Sequence, residues 1–74
     1  MVNNEFHSKN PRLISYWNMM AKKFEDVGHF GKATAYYEAA IDLCTEIFGK
    51  NHSQTLVLQR RLEALEAKRY SIAI

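Results

Sequence analysis

The side chains best suited to chemistry are few in this sequence, and they are scattered. The histidines are His7, His29 and His52, and the single cysteine is Cys44. Their spacing matches no set of metal ligands, and a nucleophilic cysteine would need a positioned base and an orienting third group. The three glycines are isolated from one another, so no phosphate-binding loop is predicted. We therefore expect a protein that is not an enzyme and has neither a cofactor nor a metal.

Three polar or aromatic side chains are better suited to recognising a partner. Asn18 and Lys22 are four residues apart, which places them on one face of a helix, beside the apolar positions of that helix. Tyr36 lies beside Tyr37, an apolar position of a second helix, and points in another direction; tyrosine is enriched among the anchor residues of protein interfaces. The alternative for all three is an ordinary solvated surface.

The charge of the chain does not favour nucleic acid as the partner. The formal net charge of its 74 residues is +2, and the cations cluster only at Arg60–Arg61 and Lys68–Arg69. Glu63 and Glu66 lie in the same predicted helix, at spacings of three from these cations, and are expected to pair with them. Strong nucleic-acid binding needs an unneutralised basic face, so none is expected.

Composition indicates one small domain in a reducing compartment. Hydrophobic residues make up 47% of the chain and charged residues 24%, as in globular proteins. A single cysteine excludes an internal disulfide. No apolar run approaches the ~18 residues of a membrane span, and the first ten residues lack the apolar core of a secretory signal. We expect a cytoplasmic protein that does not bind membranes.

Three helices are predicted from their start and stop signals. Asn10 and Pro11 begin the first helix, and Gly28 ends it. The second runs from about Gly31 to Phe48, before Gly49; the third begins near Asn51 or Ser53 and fades around Arg69. The expected boundaries are therefore a flexible tail over 1–9, a three-helix domain over 10–69 and a second tail over 70–74.

Apolar residues recur at spacings of three and four in each predicted helix, which indicates one buried stripe per helix. They are Leu13, Trp17, Met20, Ala21 and Phe24 in the first, Ala33, Tyr37, Ala40, Cys44 and Ile47 in the second, and Leu58, Leu62 and Leu65 in the third. The linkers are short, so successive helices should be antiparallel neighbours. Small residues at Ala33 and Ala40 should let two helix axes approach closely. The predicted fold class is all-α.

The first two helices resemble the tetratricopeptide repeat family. The residues that match, at the offsets typical of that family, are Trp17, Met20, Ala21, Phe24, Gly28, Phe30, Ala33, Tyr37 and Ala40. Met20 and Ala21 depart mildly from the usual Leu-Gly. The following segment, EIFGKNHSQT, is similar to the connection of the longer, kinesin-light-chain type of repeat, with Ser53 in place of the usual proline.

A second copy of the repeat is not found about 42 residues later. Gln59, Glu63 and Glu66 occupy the places of Trp17, Ala21 and Phe24, so the third helix is expected to cap the first two. The resemblance thus implies a single repeat with a capping helix, in a right-handed arrangement.

The resemblance implies a non-catalytic adaptor, scaffold or chaperone-like module. Its partner, a helix or an extended peptide, would lie between the first and third helices, where Asn18, Lys22 and Arg60 would form a cationic lip. The alternative is a small structural subunit whose exposed helical face binds a second copy of itself. A three-helix trafficking-type domain that binds helical motifs is a further alternative.

Overall fold

A computed structural model describes residues 10–73, which form three α-helices. Helix α1 spans Pro11–Asp26, α2 spans Phe30–Phe48 and α3 spans Ser53–Ala73, and no strand occurs within this range. Helix α2 packs against both α1 and α3. The predicted all-α fold of three helices is confirmed, whereas the expected tail over 1–9 lies outside the described residues.

Helix α1 begins and ends at the predicted signals. The side-chain Oδ1 of Asn10 accepts a hydrogen bond from the backbone N–H of Arg12 at 3.0 Å, and Pro11 occupies the first helical position. At the other end Gly28 has φ +87°, a left-handed conformation that suits glycine. The N–H groups of Gly28 and His29 donate to the carbonyls of Glu25 and Phe24, at 3.0 and 2.8 Å. This glycine-based cap satisfies carbonyls that the helix itself leaves unpaired.

The bounds of α2 and α3 differ slightly from the prediction. Phe30, expected just before the second helix, is its first residue, and Gly49, at φ +99°, ends that helix as predicted. Helix α3 starts after His52, whose Nδ1 accepts a hydrogen bond from the N–H of Gln54 at 3.1 Å. It ends at Ala73, beyond the predicted fading at Arg69. No glycine or proline follows Arg69, so nothing local stops the helix there.

Two clusters of buried side chains hold the helices together. In the first, Ile14 of α1 packs with Ala40, Leu43 and Cys44 of α2 and with Leu58 of α3. In the second, residues of all three helices meet again: Ala21, Ala33, Tyr37 and Leu65. The later residues of α2 contact the earlier residues of α1 and α3, and its earlier residues contact their later ones. Helix α2 is therefore antiparallel to both of its neighbours.

Three buried residues lie outside the predicted stripes. Ile14 is 1% exposed, Leu43 5% and Thr55 0%, whereas Leu13, predicted as core, is only half-buried. Adjacent residues of a helix point about 100° apart, so a modest rotation toward a partner helix exchanges one for the next. In this fold α2 contacts both α1 and α3, so it needs an apolar face wider than one stripe. This packing sets the rotation of the helices.

The buried hydroxyl of Thr55 ties the start of α3 to the end of α2. It donates to the carbonyl oxygen of Gly49 at 2.9 Å, and Oγ1 of Thr55 also lies 3.2 Å from Sγ of Cys44. Thr55→Val keeps the shape of the side chain and removes this hydrogen bond. We expect the free energy of unfolding to fall by about 0.5–1.5 kcal/mol, measured by urea denaturation.

A matched substitution gives this experiment its control. The Oγ1 of Thr34, in α2, is buried and has no hydrogen-bond partner in the described part of the chain. Because Thr34→Val removes an unsatisfied polar atom, it should leave stability unchanged or raise it. Equal losses at the two positions would contradict the role assigned to the Thr55 hydroxyl.

Candidate functional site

Helices α1 and α3 lie side by side and run in the same direction. A guanidinium nitrogen of Arg61 donates to Oδ1 of Asn18 at 3.1 Å, and Nζ of Lys68 donates to Oε2 of Glu25 at 2.9 Å. Both pairs join residues 43 positions apart, so an advance along one helix matches an equal advance along the other. These two bonds cross a groove between α1 and α3, which we call the α1–α3 groove.

Two cavities that share the Arg61 side chain form this groove. The first, of about 310 Å³, is lined by Lys22, Glu25, Tyr37, Arg61 and Ala64. The second, of about 170 Å³, is lined by Ile14, Ser15, Asn18, Gln54, Val57, Leu58 and Arg61. One half of the groove is therefore cationic at its edge, and the other has an apolar floor. Such a mixture of a few polar groups and apolar surface suits a peptide better than a reactive small molecule.

A polar chain of three residues forms the side of the first cavity. The hydroxyl of Tyr37 donates to Oε1 of Glu25 at 3.2 Å, while Oε2 of Glu25 accepts from Lys68. Tyr37 is 2% exposed, and its burial, followed by the neighbouring charge of Glu25 and the hydrogen bond to it, raises the pKa of its hydroxyl. Both oxygens of Glu25 are thus engaged, and the cations at the groove's edge are Lys22 and Arg61.

The raised pKa of Tyr37 predicts a loss of stability in alkali. A folded-state pKa above the unfolded value means that the folded protein holds this proton more tightly. The resulting stability is fully present below pH ~10 and is lost as pH rises through the higher folded pKa. We expect Tyr37→Phe to cost about 1 kcal/mol at pH 7. The difference from the parent should narrow above pH 10, as measured by urea denaturation across pH.

Tyr16→Phe is the control for this experiment, because Tyr16 is 48% exposed. It should leave both the stability at pH 7 and its alkaline decline close to those of the parent. A constant difference between the parent and Tyr37→Phe from pH 7 to 11 would show that the Tyr37 proton is not linked to folding.

The structure brings two of the three predicted lip residues to the groove. Asn18 and Lys22 line it, whereas Arg60 is exposed and lines neither of its cavities. The residue opposite Asn18 is Arg61, because α1 and α3 are aligned with an offset of 43 residues and not the 42 assumed from the repeat length. One residue is about 100° of helix rotation, enough to turn Arg60 away.

The contacts that Lys22 and Arg61, the cations of the α1–α3 groove, make with other side chains are weak. Lys22 lies 3.9 Å from Asp26, and both side chains are about two-thirds exposed, so this ion pair contributes little stability. Arg61 uses one of its two terminal nitrogens on Asn18, and a guanidinium has five N–H donors in all. Both cations can therefore turn to a bound carboxylate or backbone carbonyl at small cost.

The other chemically notable residues pack against neighbours. Tyr36, predicted as a possible anchor, is half-buried, and its ring stacks on Phe24 at 5.6 Å with an interplanar angle of 6°. His29 contacts Phe24 edge-on, and His52 stacks on Phe48 at 4.6 Å. Cys44 is fully buried, in keeping with the small hydrophobic role expected of it.

The predicted pairing of charges within α3 is wrong. The ion pairs between residues 10 and 70 are Lys22 with Asp26 and Lys68 with Glu25, so Glu63 and Glu66 do not neutralise the nearby cations. Lys68, which is at a spacing of three from neither glutamate, reaches to α1. An exposed pair within one helix is worth only ~0.3–0.5 kcal/mol, too little to hold Arg60 on Glu63 or Arg69 on Glu66.

Two further features are absent from the described residues. No three His, Cys, Asp or Glu side chains of residues 10–73 converge where a metal ion could be held. None of the three helices is both long and apolar enough to cross a membrane.

No protein-family model matches the chain, and neither a curated protein nor a solved structure shows significant similarity to it.

Proposed function

We propose that this protein is a non-catalytic protein–protein interaction module, acting as an adaptor or scaffold. It holds a peptide segment or a helix of its partner in the α1–α3 groove. The observation that carries the proposal is the position of Arg61, which lines both cavities and so joins a cationic edge to an apolar floor. The resemblance of α1 and α2 to a tetratricopeptide repeat supports the same function and belongs to this proposal.

The chemistry of the groove defines the ligand more closely. Lys22 and Arg61 present positive charge at one cavity, and Arg61 offers planar paired donors that match a carboxylate. In the other cavity Val57, which is 46% exposed, presents apolar surface beside the buried Ile14 and Leu58. The best ligand is thus a peptide with a carboxylate next to an apolar side chain. The carboxylate orients the peptide, and burial of the apolar side chain supplies most of the affinity.

Selection from a library of ten-residue peptides tests this function. Peptides selected on the parent protein should bind an Arg61→Glu variant at least about tenfold more weakly, since attraction between Arg61 and the peptide carboxylate is replaced by repulsion. Arg60→Glu makes the same change one position away, outside the groove, and should keep the parent's affinity. Lys22→Glu should weaken binding without lowering the melting temperature, because its only described ion pair is exposed.

Two results would overturn the proposal. One is a set of peptides that bind Arg61→Glu and Arg60→Glu equally well. The other is the failure of every peptide to bind the parent below millimolar concentration while circular dichroism shows a folded helical protein.

A further inference from the structure

A second groove, on the opposite side of α3, is strongly acidic. It lies between α2 and α3, has a volume of about 290 Å³, and we call it the acidic groove. Its charged and apolar lining residues are Glu38, Ile41, Asp42, Leu62, Glu63 and Glu66. Ile41 and Leu62 are half-buried and form an apolar strip, and four carboxylates surround it. No lysine or arginine lines this groove, and none of its carboxylates forms an ion pair within the described part of the chain.

A surface of opposite charge lies on the outer side of α1. Arg12, Tyr16, Met19 and Lys23 follow one another at steps of four, three and four, so they share one face of the helix. All four are exposed, Tyr16 by 48% and Met19 by 57%. This basic stripe has a cation at each end and two large apolar side chains between them. It points away from the buried residues Ile14 and Ala21 of the same helix.

The two surfaces match in charge and in apolar content. The basic stripe extends over twelve residues, roughly 16 Å of helix, and contains no acidic residue. The acidic groove offers an apolar strip flanked by carboxylates, in a furrow between two helices that a third helix can enter. Tyr16 and Met19 would lie on Ile41 and Leu62, while Arg12 and Lys23 would meet the carboxylates. The stripe is on α1 and the groove is between α2 and α3, so one molecule cannot fill its own groove.

We propose that copies of this chain associate head to tail, with the basic stripe of one copy seated in the acidic groove of the next. This contact is heterologous, because it joins two different surfaces, and it therefore builds rings or open chains. It uses neither Lys22 nor Arg61, so the proposal goes beyond peptide binding in the α1–α3 groove and does not depend on it. Charge attraction across the contact makes the assembly sensitive to salt.

Charge reversal of each surface tests the proposal by sedimentation and light scattering at low salt. The parent should show an average mass that rises with concentration and falls as salt is added. The variant Arg12→Glu/Lys23→Glu and the variant Glu63→Lys/Glu66→Lys should each associate at least about tenfold more weakly than the parent. Mixed in equal amounts they should form pairs, because the unaltered basic stripe of the groove variant still fits the unaltered acidic groove of the stripe variant.

The control variant Lys50→Glu/Arg60→Glu makes the same change of net charge at exposed positions outside both surfaces, and it should retain more of the parent's association than the stripe variant. Circular dichroism of every variant shows whether the fold is kept. A folded parent that stays monomeric up to millimolar concentration at low salt would overturn the proposal. Folded single-surface variants that associate as strongly as the parent, or a mixture that fails to associate, would overturn it as well.

Discussion

Replacing Leu65 by alanine is expected to lower the free energy of unfolding by about 2–5 kcal/mol, the range for deleting a large buried side chain. Leu65 is fully buried and is the residue by which α3 enters the cluster formed with Ala21, Ala33 and Tyr37. Domains below about 70–80 residues rarely exceed 3–5 kcal/mol of stability. The variant should therefore be partly unfolded at 25 °C, with reduced helicity by circular dichroism and a low urea midpoint.

Leu56→Ala is the matched control for this substitution. It makes the same chemical change in the same helix, but Leu56 is 39% exposed and belongs to neither buried cluster. Its loss of stability should be well below that of Leu65→Ala. Equal losses at the two positions would mean that α3 is not held to the hairpin through Leu65.

The second large effect is expected from Ala40→Leu. Ala40 is fully buried between Ile14, Leu43, Cys44 and Leu58, with no room for three more carbon atoms. Overpacking of this kind forces neighbouring side chains and helices apart and costs about 1–3 kcal/mol. The melting temperature should fall while the helical content below the transition is retained.

Trp17 reports the same change independently. It is the single tryptophan of the chain and packs against the cluster that contains Ala40. Its fluorescence should shift in Ala40→Leu and remain unchanged in Ala35→Leu, where the same side chain is added at an exposed position of the same helix. A parent-like melting temperature and emission for Ala40→Leu would show that α1 and α2 do not meet closely at this position.

The limits of most helices were predictable because their signals are local. Asn10 and Gly28 act through hydrogen bonds to backbone groups two or three residues away, and Gly49 acts through its own left-handed conformation. Such interactions need no partner from a distant part of the chain. The end of α3 was not predictable in this way, because the residues after Arg69 contain no stop signal.

The residues of the core were predicted only in part. Ala21, Ala33, Tyr37, Ala40, Cys44, Leu58 and Leu65 are buried as the spacing predicts. Periodicity gives the centre of an apolar face but not its width or its exact rotation. Ile14 and Leu43 are buried because the first cluster draws side chains from all three helices at one level. Thr55 is buried because its hydroxyl has a carbonyl partner at the preceding turn, which apolar periodicity does not reveal.

The all-α class follows from the sequence alone, as do the three helices, the antiparallel packing implied by short linkers, and most of the buried positions. The polar contacts depend on the tertiary structure: Arg61 and not Arg60 meets Asn18, and Lys68 reaches Glu25 across the groove. The same structure brings Glu38 and Asp42 beside Glu63 and Glu66. A helix start or a buried stripe depends on near neighbours in the chain, whereas contacts between helices depend on how the helices are aligned with each other. A shift of one residue in that alignment turns a side chain by about 100° and changes its partner.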